Sequence, residues 1–386
     1  MTDSPTPANA PARPDLSFAA LLRLACAYAI ATNGTILMPL FVGVLMRRFG
    51  AGEDAATGFA ALEIAGIALS CAIFPRWIAH APRRLAWIAT FGALVAQAAS
   101  AWAPGLAAVG GARLVTGLFE GVLFVVVAAS LSNRAAAERA WGVIILVSGL
   151  IDCALLVAAY ALPEAFVTQW VFVVVAACFA LIAWPAVAAG ADARQPATAA
   201  AARPAQRWSV LLPIWAVMVL VYSVLSAQWA LADVVGRQLH LAPERIGPLL
   251  ALVSLLGTLG ALAASHRRSH ELRRPILWAA ELLMGGAALW FFLVQGGVGF
   301  FVTQLLVSFS YYAVTPFLTS RISSLDPDGS LLSRSIVVTF LAAFIGTALA
   351  GTMLTQLGGL GCGLALGTCA LLAMPFTWKA FARRAG

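Results

Sequence analysis

Long apolar runs, each about the length of a bilayer-crossing helix, alternate with short polar stretches along the whole chain. Twelve are predicted, over residues 18–46, 56–79, 85–103, 105–131, 140–161, 167–188, 209–232, 246–266, 275–294, 297–320, 334–356 and 359–381. The first is long, and Pro39 and Gly43 are expected to bend its outer end. The pattern breaks once, at 189–208, where Ala, Pro and Arg displace large aliphatic side chains. That segment reads as a polar linker. The prediction is an all-α polytopic membrane protein with two six-helix bundles, 18–188 and 209–381, and short tails at 1–17 and 382–386.

Composition supports this. Of 386 residues, 62% are hydrophobic and 10% charged, whereas soluble domains carry about 25% charged residues. A soluble globular chain is excluded. The formal net charge is +8, but the basic residues sit in short loops rather than on one solvent face, which argues against a nucleic-acid partner. Their placement sets orientation instead. With the N-terminus inside, 19 of the 24 Lys and Arg residues fall in cytoplasmic segments, four fall in outer loops, and Arg113 lies within a span. Both termini are therefore expected in the cytoplasm, and the protein in the inner membrane. The start of the chain lacks a cationic leader, so the first run is expected to stay as a helix. The six cysteines lie in or beside apolar runs with no C-x-x-C pair, and read as packing residues. His266 and His270 are four apart but flank Arg267 and Arg268, and no metal site is expected.

The two halves resemble each other. A shift of 190 residues lays His80-Ala81-Pro82-Arg83-Arg84 over His270-Glu271-Leu272-Arg273-Arg274, and Arg47 over Arg237. Both H-x-x-R-R stretches fall in the loop between the second and third spans of their half. A parallel six-helix repeat is a known transporter plan.

Charges at bilayer depth are costly, so a chain that keeps them turns them toward a cavity or a partner. Arg113 and Glu120 lie seven positions apart in the fourth run, two helical turns, and share a side. They read either as a structural ion pair or as part of a solute and proton pathway. Asp152 lies deep in the fifth run, with Ser148 one turn away as a hydrogen-bond donor. Glu63, in the second run, reads as a second proton or substrate site or as an outer-gate contact. Glu281, two turns from Arg274, reads as an ordinary structural pair.

Taken together, twelve spans, a six-plus-six division, a central linker and the pattern R-x-x-x-G-x-x-x-G at Arg113, Gly117 and Gly121 make the chain resemble the major facilitator superfamily. The resemblance implies that spans 1, 4, 7 and 10 line a central cavity, with 2, 5, 8 and 11 beside it. It also implies a proton-coupling role for Arg113, and Glu120, Asp152 and Glu63 are the further candidate proton-coupling residues. The family's signature between spans 2 and 3 is matched only at Arg83 and Arg84. These two, with Arg273 and Arg274 in the repeat, are the candidate gating residues. Candidate solute contacts are Tyr28 and Asn33 in span 1, Tyr222, Ser226 and Trp229 in span 7, and Gln304, Ser308 and Tyr311 in span 10. Tyr222, Ser226 and Trp229 form one helical stripe, which also fits packing or an interfacial aromatic belt.

The expected function is a secondary active transporter of a small organic solute, acting as a monomer in the bilayer. The proton gradient would drive it, with no cofactor; no G-x-x-x-x-G-K-[ST] phosphate loop is present. Proton-coupled efflux is the leading reading, with proton-coupled uptake of an organic anion bound by Arg113 as its alternative. An enzyme is not expected, since no G-x-S-x-G occurs and no histidine lies deep in a span. A transport-inactive membrane sensor or scaffold is the reading from another class.

Overall fold

Helix α1 (Phe18–Ile36) starts at Ser17, whose side chain accepts from the Ala20 N–H at 3.3 Å. The run resumes as α2 (Met38–Phe49) after a break at Leu37. Pro39 accounts for the break, because it has no N–H to give and its ring crowds the preceding turn. Gly43 does not bend the chain. It leaves room for a neighbour, since a Cβ there would collide with Oδ2 of Asp233.

The computed structural model describes residues 16–78, 80–131, 137–163, 166, 168–191, 208–262, 271–325 and 330–381, and among these it contains no strand. The first half continues with α3 (Glu53–Ile73), the short α4 (Pro75–Ile78), α5 (Pro82–Ala99), α6 (Leu106–Leu131), α7 (Ala137–Tyr160) and α8 (Val171–Ala188). The second half holds α9 (Trp208–Ala230), α10 (Ala232–Gln238), α11 (Pro243–Gly257), α12 (Arg273–Phe291), α13 (Gly296–Ser323) and α14 (Ser330–Ala380). Helices α5 and α11 begin on Pro82 and Pro243, ahead of the predicted starts. Proline suits a first helical position, where its missing N–H has no partner anyway. The two last predicted runs meet inside α14, where Gly358 adopts φ 67° and ψ 178°, a backbone that other residues rarely reach. The predicted linker and tails lie almost wholly outside the described residues, as do His266 and His270.

Ten helices among the described residues are long and apolar enough to cross a membrane. Large apolar side chains stand bare on the outside, such as Leu181 at 83% and Val298 at 80% exposure. Such a surface suits hydrocarbon and not water. The chain is a multi-pass membrane protein.

Small residues set how closely the helices pack. Gly117 of α6 sits directly on the Glu63 carbonyl of α3. A Cβ at Gly121 would lie 2.6 Å from Cβ of Ser70, and one at Gly66 would lie 2.7 Å from the Leu118 nitrogen. The glycines of the R-x-x-x-G-x-x-x-G pattern thus draw α3 onto α6. Gly363 and Gly367 act in the same way on α12, with Cβ positions 2.9 Å from the Leu289 carbonyl and 3.0 Å from that of Gly285. Between the halves, α3 meets α14, α7 meets α11, and α2 meets α10. The repeat shows in the backbone, because α9 and α10 part at Leu231 much as α1 and α2 part at Leu37.

If glycine packing holds α3 against α6, Gly117→Ala must push the two helices apart. It should destabilise the protein by about 1–3 kcal/mol, the usual range for overpacking. Gly142 has open space around it, so Gly142→Ala should be neutral or stabilise by up to about 1 kcal/mol. Thermal unfolding of the two variants in one detergent checks the contrast.

Candidate functional site

The close approach of α3 and α6 places Glu63 beside Arg113. Nη1 of Arg113 donates to Oε1 of Glu63 at 2.9 Å, and both side chains are fully buried. Nη2 donates to Ser100 Oγ at 2.8 Å and to Thr116 Oγ1 at 3.3 Å. The guanidinium carbon lies 4.9 Å from the ring centre of Phe41 and 5.0 Å from that of Phe172, so aromatic faces close the remaining sides.

Glu120 joins the cluster from the same helix as Arg113. Its Oε1 accepts from Asn33 Nδ2 of α1 at 3.3 Å, and it is also fully buried. It lies within hydrogen-bonding reach of Glu63 and of the Gly34 backbone. A Cβ on Gly34 would fall 2.6 Å from Cδ of Glu63 and 3.0 Å from Oε2 of Glu120, so the two carboxyl groups flank one point. Oε2 of Glu63 and Oε2 of Glu120 each make no hydrogen bond to the protein. Two acids therefore share one base in a place without solvent.

Asp152 does not belong to this cluster. It is 4% exposed, and its Oδ1 has no donor. The predicted bond from Ser148 does not form, because that hydroxyl donates to its own helix at the Ile145 carbonyl, 3.1 Å away. Tyr28 of α1 and Tyr312 of α13 lie within electrostatic reach of Asp152. Around them is a group of rings from both halves. Tyr28 contacts Phe124 and Trp141, each with centroids 5.6 Å apart, and Phe124 meets Phe340 edge-on at 5.0 Å. Tyr222 and Tyr311 meet at 4.8 Å, and the Tyr222 hydroxyl lies 3.5 Å from Thr315 Oγ1.

The other predicted contacts scatter. Trp229 donates to the Ile36 carbonyl at 3.1 Å, joining the halves at the break between α1 and α2. Ser226 is half-buried on α9. Gln304 is buried with Nε2 unpartnered. Ser308 is a packing contact, its Cβ 2.7 Å from where Gly257 would carry one. Arg83 and Arg84 are exposed. Arg274 serves its own half, donating from Nε and Nη2 to the Phe381 carbonyl at 3.0 and 2.6 Å, while Arg273 lies over the Phe381 ring at 5.4 Å. The expected pair of Arg274 with Glu281 is absent. Glu281 instead accepts from Thr377 of the last helix, because Arg274 turns to the free carbonyls of that helix end.

The charged contact between the halves is one that sequence reasoning missed. Asp233 of α10, 1% exposed, binds Arg47 of α2 at 3.3 Å and Arg237 of its own helix at 3.0 Å. Tyr160 at the end of α7 stands beside it and packs on Gly247 of α11. Two signals pointed here: the repeat lays Arg47 over Arg237, and Asp233 precedes Arg237 by one turn. Asp233 was passed over because it falls just beyond the predicted end of its span.

The fold has known counterparts. The chain is similar to the human organic anion transporter MFSD10 (TETRAN), with TM-score 0.66 and 18% identity over 93% of this chain and 98% of that one. It is similar to the xylose transporter XylE from E. coli in a partially occluded inward-open conformation, with TM-score 0.69 and 13% identity over 96% and 98%. The nucleoside transporter NupG gives TM-score 0.70 and 11% identity over 94% and 99%. No family profile matches the sequence, and no curated protein sequence does. The chain has the fold of the major facilitator transporters.

The pairing of Arg113 with Glu63 is open to a double-mutant cycle. Arg113→Leu or Glu63→Leu alone should cost about 3–5 kcal/mol, since each leaves a buried charge short of its partner. The double variant should cost clearly less than the two together, measured by unfolding in detergent. Additive losses would mean that the two side chains do not support each other.

Proposed function

We propose that this chain is a secondary active transporter of the inner membrane that moves a small organic solute by alternating access. Proton-driven efflux is its direction. The observation that carries this reading is the imbalance of charge in a sealed cluster, Glu63 and Glu120 against Arg113, all at 0% exposure. A surplus negative charge away from water is costly. One proton held between the two free Oε2 atoms removes it, and its departure restores it.

Helix α1 is placed to sense that exchange. Asn33 and Gly34 touch Glu120, Tyr28 stands among the rings beside Asp152, and α1 runs on into α2, where Arg47 reaches Asp233. Proton site, solute site and closure between the halves thus share one element. In this reading Arg47, Asp233 and Arg237 form the outer closure, which must part before the cavity opens outward. The solute sits between the halves against Tyr28, Tyr222 and Tyr311.

The topology that goes with this is twelve spans in bundles 18–188 and 209–381, both termini and the 189–208 linker in the cytoplasm. Its support is the ten long apolar helices, the break of α14 at Gly358 and the 19-residue α12. Uptake of an organic anion on Arg113 has less support, because Nη1 and Nη2 are taken by Glu63, Ser100 and Thr116.

Reconstituted vesicles of known orientation test the proposal. A pH jump should drive accumulation of at least one solute from a broad labelled panel. Glu120→Gln should lower the gradient-driven rate roughly tenfold, a typical coupling factor, while solute exchange without a gradient persists. Asp233→Asn should raise labelling of cysteines introduced on the outer side of the cavity. No gradient for any solute would favour a sensor or scaffold and end the transporter reading.

A further inference from the structure

We propose that the aromatic cluster beside Asp152 takes a small organic cation, a quaternary or protonated amine. The inference rests on the transporter reading only in treating the cluster as the solute site. Three observations converge on it. First, the rings come from both halves: Tyr28 packs on Phe124, Phe124 meets Phe340 edge-on, and Tyr28 lies within electrostatic reach of Tyr222 and Tyr311. The face of an aromatic ring attracts a cation, more strongly when water is excluded, and several rings together suit a quaternary ammonium group.

Second, Asp152 is buried beside Tyr28 and Tyr312 with Oδ1 lacking any protein donor. An acid held at bilayer depth without a partner is a natural counter-ion for a bound cation, whose arrival displaces its proton. Third, the base at this depth is spoken for. Arg113 is paired with Glu63 and enclosed by Phe41 and Phe172, so an anionic solute would meet tyrosine faces and an acid. Neither supplies the positive charge that an anion would need there. Tyr28 and Tyr311 are half-buried although helices surround them, which leaves ring surface for a ligand.

Equilibrium dialysis of the purified full-length protein tests this directly. The probe is labelled benzyltrimethylammonium, with phenylacetate and benzyl alcohol as anionic and neutral competitors of similar size. The ammonium should bind, and neither competitor should displace it. Asp152→Asn should weaken binding by about tenfold or more, as expected for losing a desolvated charge partner. Asp152→Glu should largely restore it, and unchanged unfolding temperatures would show both variants folded. Tyr28→Leu should weaken binding as well. Equal displacement by phenylacetate, or unchanged ammonium binding in Asp152→Asn, would overturn the proposal. Vesicle transport separates the two readings. Carriage of anions or neutral solutes but not the ammonium overturns the cation inference and leaves the transporter. Asp152-dependent binding with no gradient for any solute upholds the cation site and removes the transport role.

Discussion

The contact on which the molecule turns is the backbone-to-backbone approach of α3 and α6. Gly66, Gly117 and Gly121 remove the side chains that would keep these helices apart. Only then can Arg113 meet Glu63 at 2.9 Å. In a medium that cannot solvate ions, the pair must be close and supplied with further hydrogen bonds, and Ser100 and Thr116 provide them. Packing and electrostatics are therefore one problem here. The small residues carry the charge pair, and the charge pair gives the small residues a reason.

From that cluster outward, α1 and α2 form the thread. Asn33 reaches the acid that has no base of its own, Tyr28 joins the aromatic cluster, and the break at Leu37 frees the Ile36 carbonyl for Trp229 of the other half. Beyond the break, Arg47 and Arg237, which the repeat makes equivalent, converge on Asp233. An ion pair with arginines 24% and 30% exposed is weaker than the sealed one near Glu63. In the proposed cycle, that contrast suits a closure that opens against a pair that stays.

Much of the fold was legible because hydropathy and length decide membrane helices, and because cations mark loops. Two breaks were legible as well. Pro39 announced the one in the first run, and hydropathy placed another at 357–358, where Gly358 supplies the positive φ. At the site, the R-x-x-x-G-x-x-x-G pattern picked out the helix that packs on α3 and carries the buried Arg113 and Glu120. It could not name Glu63 as the partner, fifty residues away, because the rotation of one helix against another is not written in either. The same limit explains Ser148 and Arg274. Each had a plausible acid at helical spacing, and each found a backbone carbonyl instead. Asp233 shows the opposite case, where the repeat held the clue and a predicted boundary hid it.

The central claim is that Glu63 and Glu120 share one proton against Arg113. Infrared difference spectroscopy of the purified protein across a pH titration reads it most directly, since a protonated carboxyl has its own C=O band. The account predicts a titrating band that disappears in both Glu63→Gln and Glu120→Gln and survives in Asp152→Asn. A band untouched by the first two variants, or lost only in the third, would contradict it.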